Sequence, residues 1–198
     1  MSNDYCLTVT NNSKSLQTFC IYQNIQVIRG DIKPVIWLTA SAHPRSVIEF
    51  NWIATYDFIW IKPIDDNQFK TSQMMPADIN QKNHVVLDFK QGAYTFLEPS
   101  QSHQNGILSI QQTSKVQTHQ IYVGIGINGK SIALAKSCPN TTIEINPYNS
   151  HFFLALCNAK QGEFVDADKF AIPEYKLDFT HNDTLSVTLT DKNTWQAQ

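Results

Sequence analysis

The stretch SVIEFNWIATYDFIWIK (46–62) restricts the fold more than any other part of the chain. Ile48, Phe50, Trp52, Ala54, Tyr56, Phe58 and Trp60 recur at every second position, with Glu49, Asn51, Thr55 and Asp57 between them. Successive side chains of a strand point to opposite faces, so this spacing sets a nearly unbroken aromatic row against a mostly polar face. At helical spacing the same rings would scatter round the axis, and aromatic and β-branched residues favour strands in any case. The stretch is too long for one flat strand, which predicts a bend or turn around 54–57. A sandwich or barrel core follows from it, but no chemistry does.

The flanking segments repeat the strand pattern. YCLTVT (5–10) and QTFCIYQ (17–23) read as short strands separated by NNSKS. A five-residue hairpin loop would pair Thr10 with Leu16, Thr8 with Thr18 and Cys6 with Cys20. Tyr5, Leu7, Val9, Phe19 and Ile21 then share one face, with the thiols and threonines on the other. VIWLTA (35–40) follows Pro34, and His43-Pro44 closes it. Residues 63–83 are polar and turn-rich (PIDDNQ, MMPADINQKN) and read as a long connection with room for one helical turn. HVVLDFK and GAYTFLE flank Gln91-Gly92, 99–105 reads as a loop, and ILSIQQT follows. QIYVGIGINGKSIALAK, TTIEINP, HFFLALC, KLDFT and TLSVTLTDKNTWQAQ complete the series. About a dozen short strands at near-regular spacing, with no repeat and no linker, predict an all-β fold. The expectation is a single-domain antiparallel β-sandwich or flattened barrel over 1–198.

The sharpest chemical motif is GIGINGKS (124–131), which satisfies both G-x-G-x-x-G and G-x-x-x-x-G-K-S. In a phosphate-binding loop, backbone N–H groups ring the phosphates and a helix starts at the Lys-Ser pair. Asn128-Gly129 is instead the strongest two-residue hairpin signal, since both positions accept positive φ. Folding about it pairs Ile125 with Ile132 and Val123 with Leu134 on one face. Gly124 meets Ala133, and Tyr122 meets Ala135, on the other. Only 130–137 precede Cys138-Pro139, too little for the helix. The hairpin is the reading adopted, and it implies no nucleotide cofactor.

Composition narrows the function. Hydrophobic residues make up 42% of the chain, enough for a sizeable core, and only 16% are charged, against roughly a quarter in average proteins. A net charge of -2 with no basic stripe argues against nucleic acid as a partner. Nothing at the start resembles a signal peptide and no run reaches membrane-spanning length. The expectation is a cytoplasmic product, with leaderless export as the alternative. Cys6, Cys20, Cys138 and Cys157 show no C-x-x-C spacing and are expected to be free, mostly buried thiols.

Other candidate sites are sparse. Asp166 and Asp168 offer two hard oxygen ligands to a divalent cation, as does Asp65-Asp66-Asn67, but acids in a loop are more often a solvated turn. His43, His84, His103, His119, His151 and His181 are dispersed without zinc-ligand spacing. Cys157 with His151 is a conceivable nucleophile–base pair, yet HFFLALC reads as a buried strand. There is no G-x-S-x-G elbow. No metal, cofactor or catalytic residue is assigned.

YCLTVTNNS, TFCIYQ, VIWLTASAHP, EFNWIATYDFIW, QMMPADI, GAYTF, YVGIGING and DKNTWQAQ, taken in this order, resemble the RhiA family, the rhizosphere-induced proteins of bacteria. The resemblance runs from about Tyr5 to Trp195. It implies a compact β protein made abundantly under cell-density control, with no catalytic activity attached to it. The chain departs from the family pattern at Met74-Met75, where a Trp would be expected before Pro76, and is unusually rich in Asn, Gln and Lys.

Two non-enzymatic functions are compatible with these features. One is self-association or another macromolecular interaction, favoured by a polar, weakly charged surface and by unpaired strand edges. The other is a carbohydrate- or lipid-binding module whose exposed rings act as stacking platforms, with Trp37, Trp60 and Trp195 as candidates. Solvent exposure of those rings separates the two.

Overall fold

The computed structural model describes residues 4–65, 68–102 and 104–197. Its strands are β1 (Asp4–Asn11), β2 (Gln17–Arg29), β3 (Lys33–Pro34), β4 (Ile36–Ala42), β5 (Ser46–Ile53), β6 (Tyr56–Asp65), β7 (Gln68–Ala77) and β8 (His84–Lys90). They continue as β9 (Ala93–Phe96), β10 (Leu108–Gln112), β11 (Tyr122–Ile127), β12 (Lys130–Lys136), β13 (Thr142–Leu156), β14 (Tyr175–Leu177), β15 (Thr184–Leu189) and β16 (Trp195–Ala197). The only helical turn among the described residues is a 3-10 helix, Ala167–Lys169. The architecture is all-β, of the sandwich or flattened-barrel class. Two of its pairings, β1 with β15 and β8 with β10, are parallel.

The chain forms two compact units, each assembled from separated segments. The first takes Met1–Asn24, Ile36–Ala54 and His151–Gln198. Its four-stranded sheet has the order β16-β15-β1-β5. In the same unit β4 pairs with the first part of β2, and β14 with the last part of β13. The second takes Ile25–Val35 and Thr55–Ser150. It holds a five-stranded sheet, β3-β12-β11-β6-β7, and the pairings of β10 with β8 and with the first part of β13.

The long aromatic stretch breaks where expected, after Ile53, and the boundary between the units falls there. Its first half, β5, buries alternate residues Phe50 and Trp52 and exposes Val47, Glu49, Asn51 and Ile53. These rings meet β1 in register, Phe50 opposite Leu7 and Trp52 opposite Tyr5. Its second half, β6, lies between β11 and β7 and buries both faces: Phe58 on one, Ile59 and Ile61 on the other. Ile59 and Ile61 pack with Val35 and Leu134. A central strand covered on both sides needs a near-continuous apolar run, which the period-two reading of this half did not anticipate.

Three local expectations are corrected. β1 and β2 do not form a hairpin, and Cys6 lies opposite Asn51 and Thr184 instead of Cys20. The reason is visible at Asn11, which is fully buried. Its amide nitrogen donates to the Ser15 and Ala42 carbonyls, and its side-chain oxygen accepts from the Ser13 N–H. Those bonds carry the loop away from β1 toward β4. Secondly, part of 63–83 is a strand, β7, paired with β6. Pro76 is tolerated because β7 is the edge of its sheet, where one missing N–H costs nothing in the ladder. Thirdly, the Asn128-Gly129 turn forms with φ of 50° and 73°, but the register shifts beyond it. Ile127 faces Lys130 and Gly126 faces Ser131, after which a bulge at Ile132 sets Ile125 opposite Ala133 and Val123 opposite Ala135.

Candidate functional site

The GIGINGKS segment is spent on packing. Gly124 sits so close to β12 that a Cβ would lie far inside contact with the Ala133 carbonyl oxygen. A Cβ at Gly126 would strike Ile59 and come within 2.8 Å of the Lys130 carbonyl oxygen. The turn is fastened to the start of β6. Asn128 N–H donates to the Thr55 carbonyl at 3.2 Å, and the Thr55 hydroxyl donates to the Asn128 side-chain oxygen at 2.7 Å. The Gly129 N–H donates to the Asp57 carboxylate at 2.8 Å. A carboxylate thus occupies an amide that a phosphate would need, and Lys130 begins a strand, not a helix.

The cysteines depart from expectation. Cys20 and Cys157 are joined as a disulfide, with Cα atoms 6.4 Å apart, inside a cluster of Tyr22, Ile36 and Ala155. Cys6 and Cys138 are free. Four free thiols were expected from the lack of C-x-x-C spacing and a reducing compartment, whereas this pair joins residues 137 apart in sequence. Cys157 is therefore not a nucleophile for His151. Burial pushes the neighbouring Tyr22 hydroxyl up to about 12, with the Glu174 carboxylate adding to the effect.

The tryptophans named as ligand candidates are not equivalent. Trp37 is 1% exposed and packs edge-on to Trp52 at 5.4 Å and against Phe152 at 5.7 Å, so it offers no face to a ligand. Trp60 is half-buried beside Tyr94, which in turn packs on Phe89. Its indole N–H donates to Gln73 at 2.9 Å. Trp195 is half-buried against Phe19 and Tyr175, with its N–H donated to the Pro173 carbonyl. Trp60 belongs to the second unit and Trp195 to the first.

The acidic candidates resolve differently. The Asp166 carboxylate caps the 3-10 helix, accepting from the Asp168 N–H at 3.3 Å, and pairs with Lys169 at 3.2 Å. No group of three or more His, Cys, Asp or Glu side chains suited to a metal occurs among the described residues. Asp66, Asn67 and His103 lie outside the described residues.

Two features that sequence reasoning missed stand out. The first is β5 as a sheet edge. It ends the order β16-β15-β1-β5, runs eight residues in unbroken register with β1, and carries one charge, Glu49. Other sheet ends are blunted: β3, β9 and β16 are two, four and three residues long, and β4 and β7 have register shifts against their partners. Short length, bulges, Pro and Lys are the usual devices against edge pairing, and β5 has none of them. On β1, Thr10 lies opposite the exposed Val47, Thr8 opposite Glu49 and Asp4 opposite the exposed Ile53, and Ser186 and Thr184 of β15 follow beyond Thr8 and Cys6.

The second is a polar cavity of about 370 Å³ in the second unit, lined in part by Arg29, His84, Ser109, Gln111, Thr142 and Glu144. Register builds it. Ser109 of β10 is directly opposite Glu144 of β13 and His84 of β8, and Gln111 is opposite Thr142 one row on. The alternate residues Leu108, Ile110, Ile143 and Ile145 fill the core on the other face. Ser102 and Gln104 form a wall held by Asn83, which is fully buried. Its side-chain oxygen accepts from the Ser102 N–H at 2.7 Å and its amide nitrogen donates to the Gln104 carbonyl at 2.8 Å. The His84 Nδ1 lies 3.3 Å from the Ser109 hydroxyl. Burial holds the His84 pKa below its ordinary value, with Glu144 pulling partly the other way. Ser109 is only 5% exposed, so the pair is poorly placed to attack a substrate.

Compared with known proteins, residues 2–198 match the family model RhiA. No curated protein matches, and no solved structure does. No helix among the described residues is long and apolar enough to cross a membrane.

Proposed function

The chain belongs to the RhiA family, and we propose that it is a non-enzymatic protein that works by associating with copies of itself. The observation that supports this reading is the unprotected edge of β5. An open edge presents a row of N–H and C=O groups that a second strand can satisfy. The neighbouring Thr and Ser rows carry little charge, which lowers the electrostatic cost of bringing two such faces together. Association of this kind grows with concentration, and abundant synthesis under cell-density control would supply it. Residence in the cytoplasm, with export as the alternative, belongs to the same proposal. The Cys20–Cys157 pairing favours the alternative, since disulfides persist in oxidising surroundings.

Sedimentation velocity over a concentration series tests the edge. The wild type should form larger species as concentration rises, burying more than about 1,000 Å² per contact. Val47→Lys with Ile53→Lys, both at exposed positions, should shift the protein to monomer without lowering its melting temperature. A wild type that stays monomeric at its solubility limit ends the proposal.

A carbohydrate- or lipid-binding role is the second reading, and the adjacent half-buried rings of Trp60, Tyr94 and Phe89 favour it. Loss of glycan or vesicle binding in a folded Trp60→Ala variant would support it over self-association.

A further inference from the structure

The cavity beside β8, β10 and β13 shares no residue with the β5 edge, and its lining has a definite chemical bias. Arg29 supplies one full positive charge and Glu144 one full negative charge. Neither takes part in an ion pair among the described residues. A guanidinium offers a planar fork of donors suited to a carboxylate, and a carboxylate is an acceptor-only group suited to an ammonium. Hydroxyls and amides make up most of the remaining lining, with Ile107 the one aliphatic side chain among the described residues.

We propose that this cavity binds a small zwitterion of the free amino-acid class, its carboxylate on Arg29, its ammonium on Glu144, and its other polar atoms on Ser102, Gln104, Gln111 and Thr142. Three features select this class. A simple anion would gain Arg29 and be repelled by Glu144, and a simple amine would meet the reverse, whereas a zwitterion gains both. His84 adds little charge near neutrality, because burial disfavours its protonated form. Among the described residues no Trp, Tyr or Phe side chain lines the cavity, so they supply no stacking platform of the kind that sugars commonly use.

Size agrees. At about 30 Å³ of liquid volume per water, the cavity holds on the order of a dozen waters, ample room for a single amino acid. The site is also built in advance. Asn83 holds Ser102 and Gln104 through both ends of its buried amide, and the sheet register fixes the opposite floor. A preformed wall spares the ligand the cost of ordering it.

The full-length protein is titrated calorimetrically with each of the common free L-amino acids at millimolar concentration. For every one that binds, the N-acetyl amino acid and the amino-acid methyl ester are titrated as singly charged controls. The expected result is binding of one or more zwitterions, weakened at least tenfold in both controls. Arg29→Gln, at an exposed position, should weaken the zwitterion at least tenfold and should not weaken the methyl ester, which loses a like charge. Glu144→Gln should do the same for the zwitterion and should not weaken the N-acetyl form. Circular dichroism and the melting temperature confirm that both variants are folded. Absence of binding by every amino acid overturns the proposal. So does equal affinity for a singly charged control, or affinity that neither substitution alters.

Discussion

Asp57, at the start of β6, accepts a hydrogen bond from the Gly129 amide at 2.8 Å, joining residues 72 apart in sequence. Burial raises the pKa of this carboxyl above its ordinary 3.8, and the Gly129 bond opposes part of that rise. Between the unfolded value and the raised folded value, the native state holds more proton than the unfolded chain. The stability that this group contributes is therefore full below the unfolded pKa and is lost as pH rises through the folded one. Asp57→Asn keeps an oxygen for Gly129 and removes the titration. Its stability relative to wild type should rise from pH 3 to pH 7, as measured by urea melts. Asp57→Ala leaves the amide without its acceptor and should cost about 1 kcal/mol. An Asn variant that loses ground as pH rises would refute the assignment.

The glycines of the same hairpin should separate sharply. Gly124→Ala forces a methyl group onto the Ala133 carbonyl, and backbone cannot swing aside. A loss of about 3 kcal/mol is expected, at the high end for overpacking. Gly129 has φ of +73° and nothing closer than Met74 at 3.4 Å. Gly129→Ala should therefore pay only the left-handed backbone cost, about 1–2 kcal/mol. Equal losses would show that the close approach of β11 to β12 is wrong.

How much of this was legible follows from the range of the interactions. The Asn128-Gly129 turn and the break in the aromatic stretch are local, and their chemistry is written in adjacent residues. The partners of β1 are not: residues 4–11 pair with 46–53 and 184–189, and one buried Asn11 side chain diverts the short loop. The cavity needs two registers at once, because His84, Ser109 and Glu144 come from three strands far apart in sequence. Its signal was present in ILSIQQ and TTIEINP, where Ser109 with Gln111 and Thr142 with Glu144 give each strand a polar face. Alternation identifies such a face but not the strands beside it.

Thiol titration in denaturant without reductant should find two groups, Cys6 and Cys138. The Cys20–Cys157 bridge closes a loop across 137 residues of sequence, so it strongly constrains the unfolded chain. Reduction should lower stability by about 5 kcal/mol on the chain-entropy account. Four titratable thiols before reductant is added would remove the bridge and the argument for an oxidising destination with it.

Asn83 is the test of whether the cavity wall is held or merely adjacent. Asn83→Ala strands the Ser102 N–H and the Gln104 carbonyl together. Each lost partner in a buried setting costs about 1–3 kcal/mol, reduced where water can enter. Hydrogen exchange at Ser102 should accelerate strongly while exchange in β6 and β11 stays slow. Unchanged protection at Ser102 would mean that Asn83 does not anchor the wall.

The tryptophans separate core from surface. Trp37 is buried against Trp52 and Phe152, and Trp37→Ala should cost about 3–5 kcal/mol through the lost rings and the cavity left behind. Trp60 keeps part of its ring in solvent, and Gln73 retains the Phe96 N–H at 2.8 Å when the indole is removed. Trp60→Ala should therefore cost clearly less than the Trp37 change, within the usual range of about 0.5–3 kcal/mol. Iodide quenching should reach the Trp60 emission in the folded protein and leave Trp37 dark to the quencher. The comparison also bears on function, because a ring that the quencher reaches is one that a ligand can reach. If Trp37 were quenched as readily as Trp60, its place in the core would be wrong, and with it the reason for excluding it as a stacking platform.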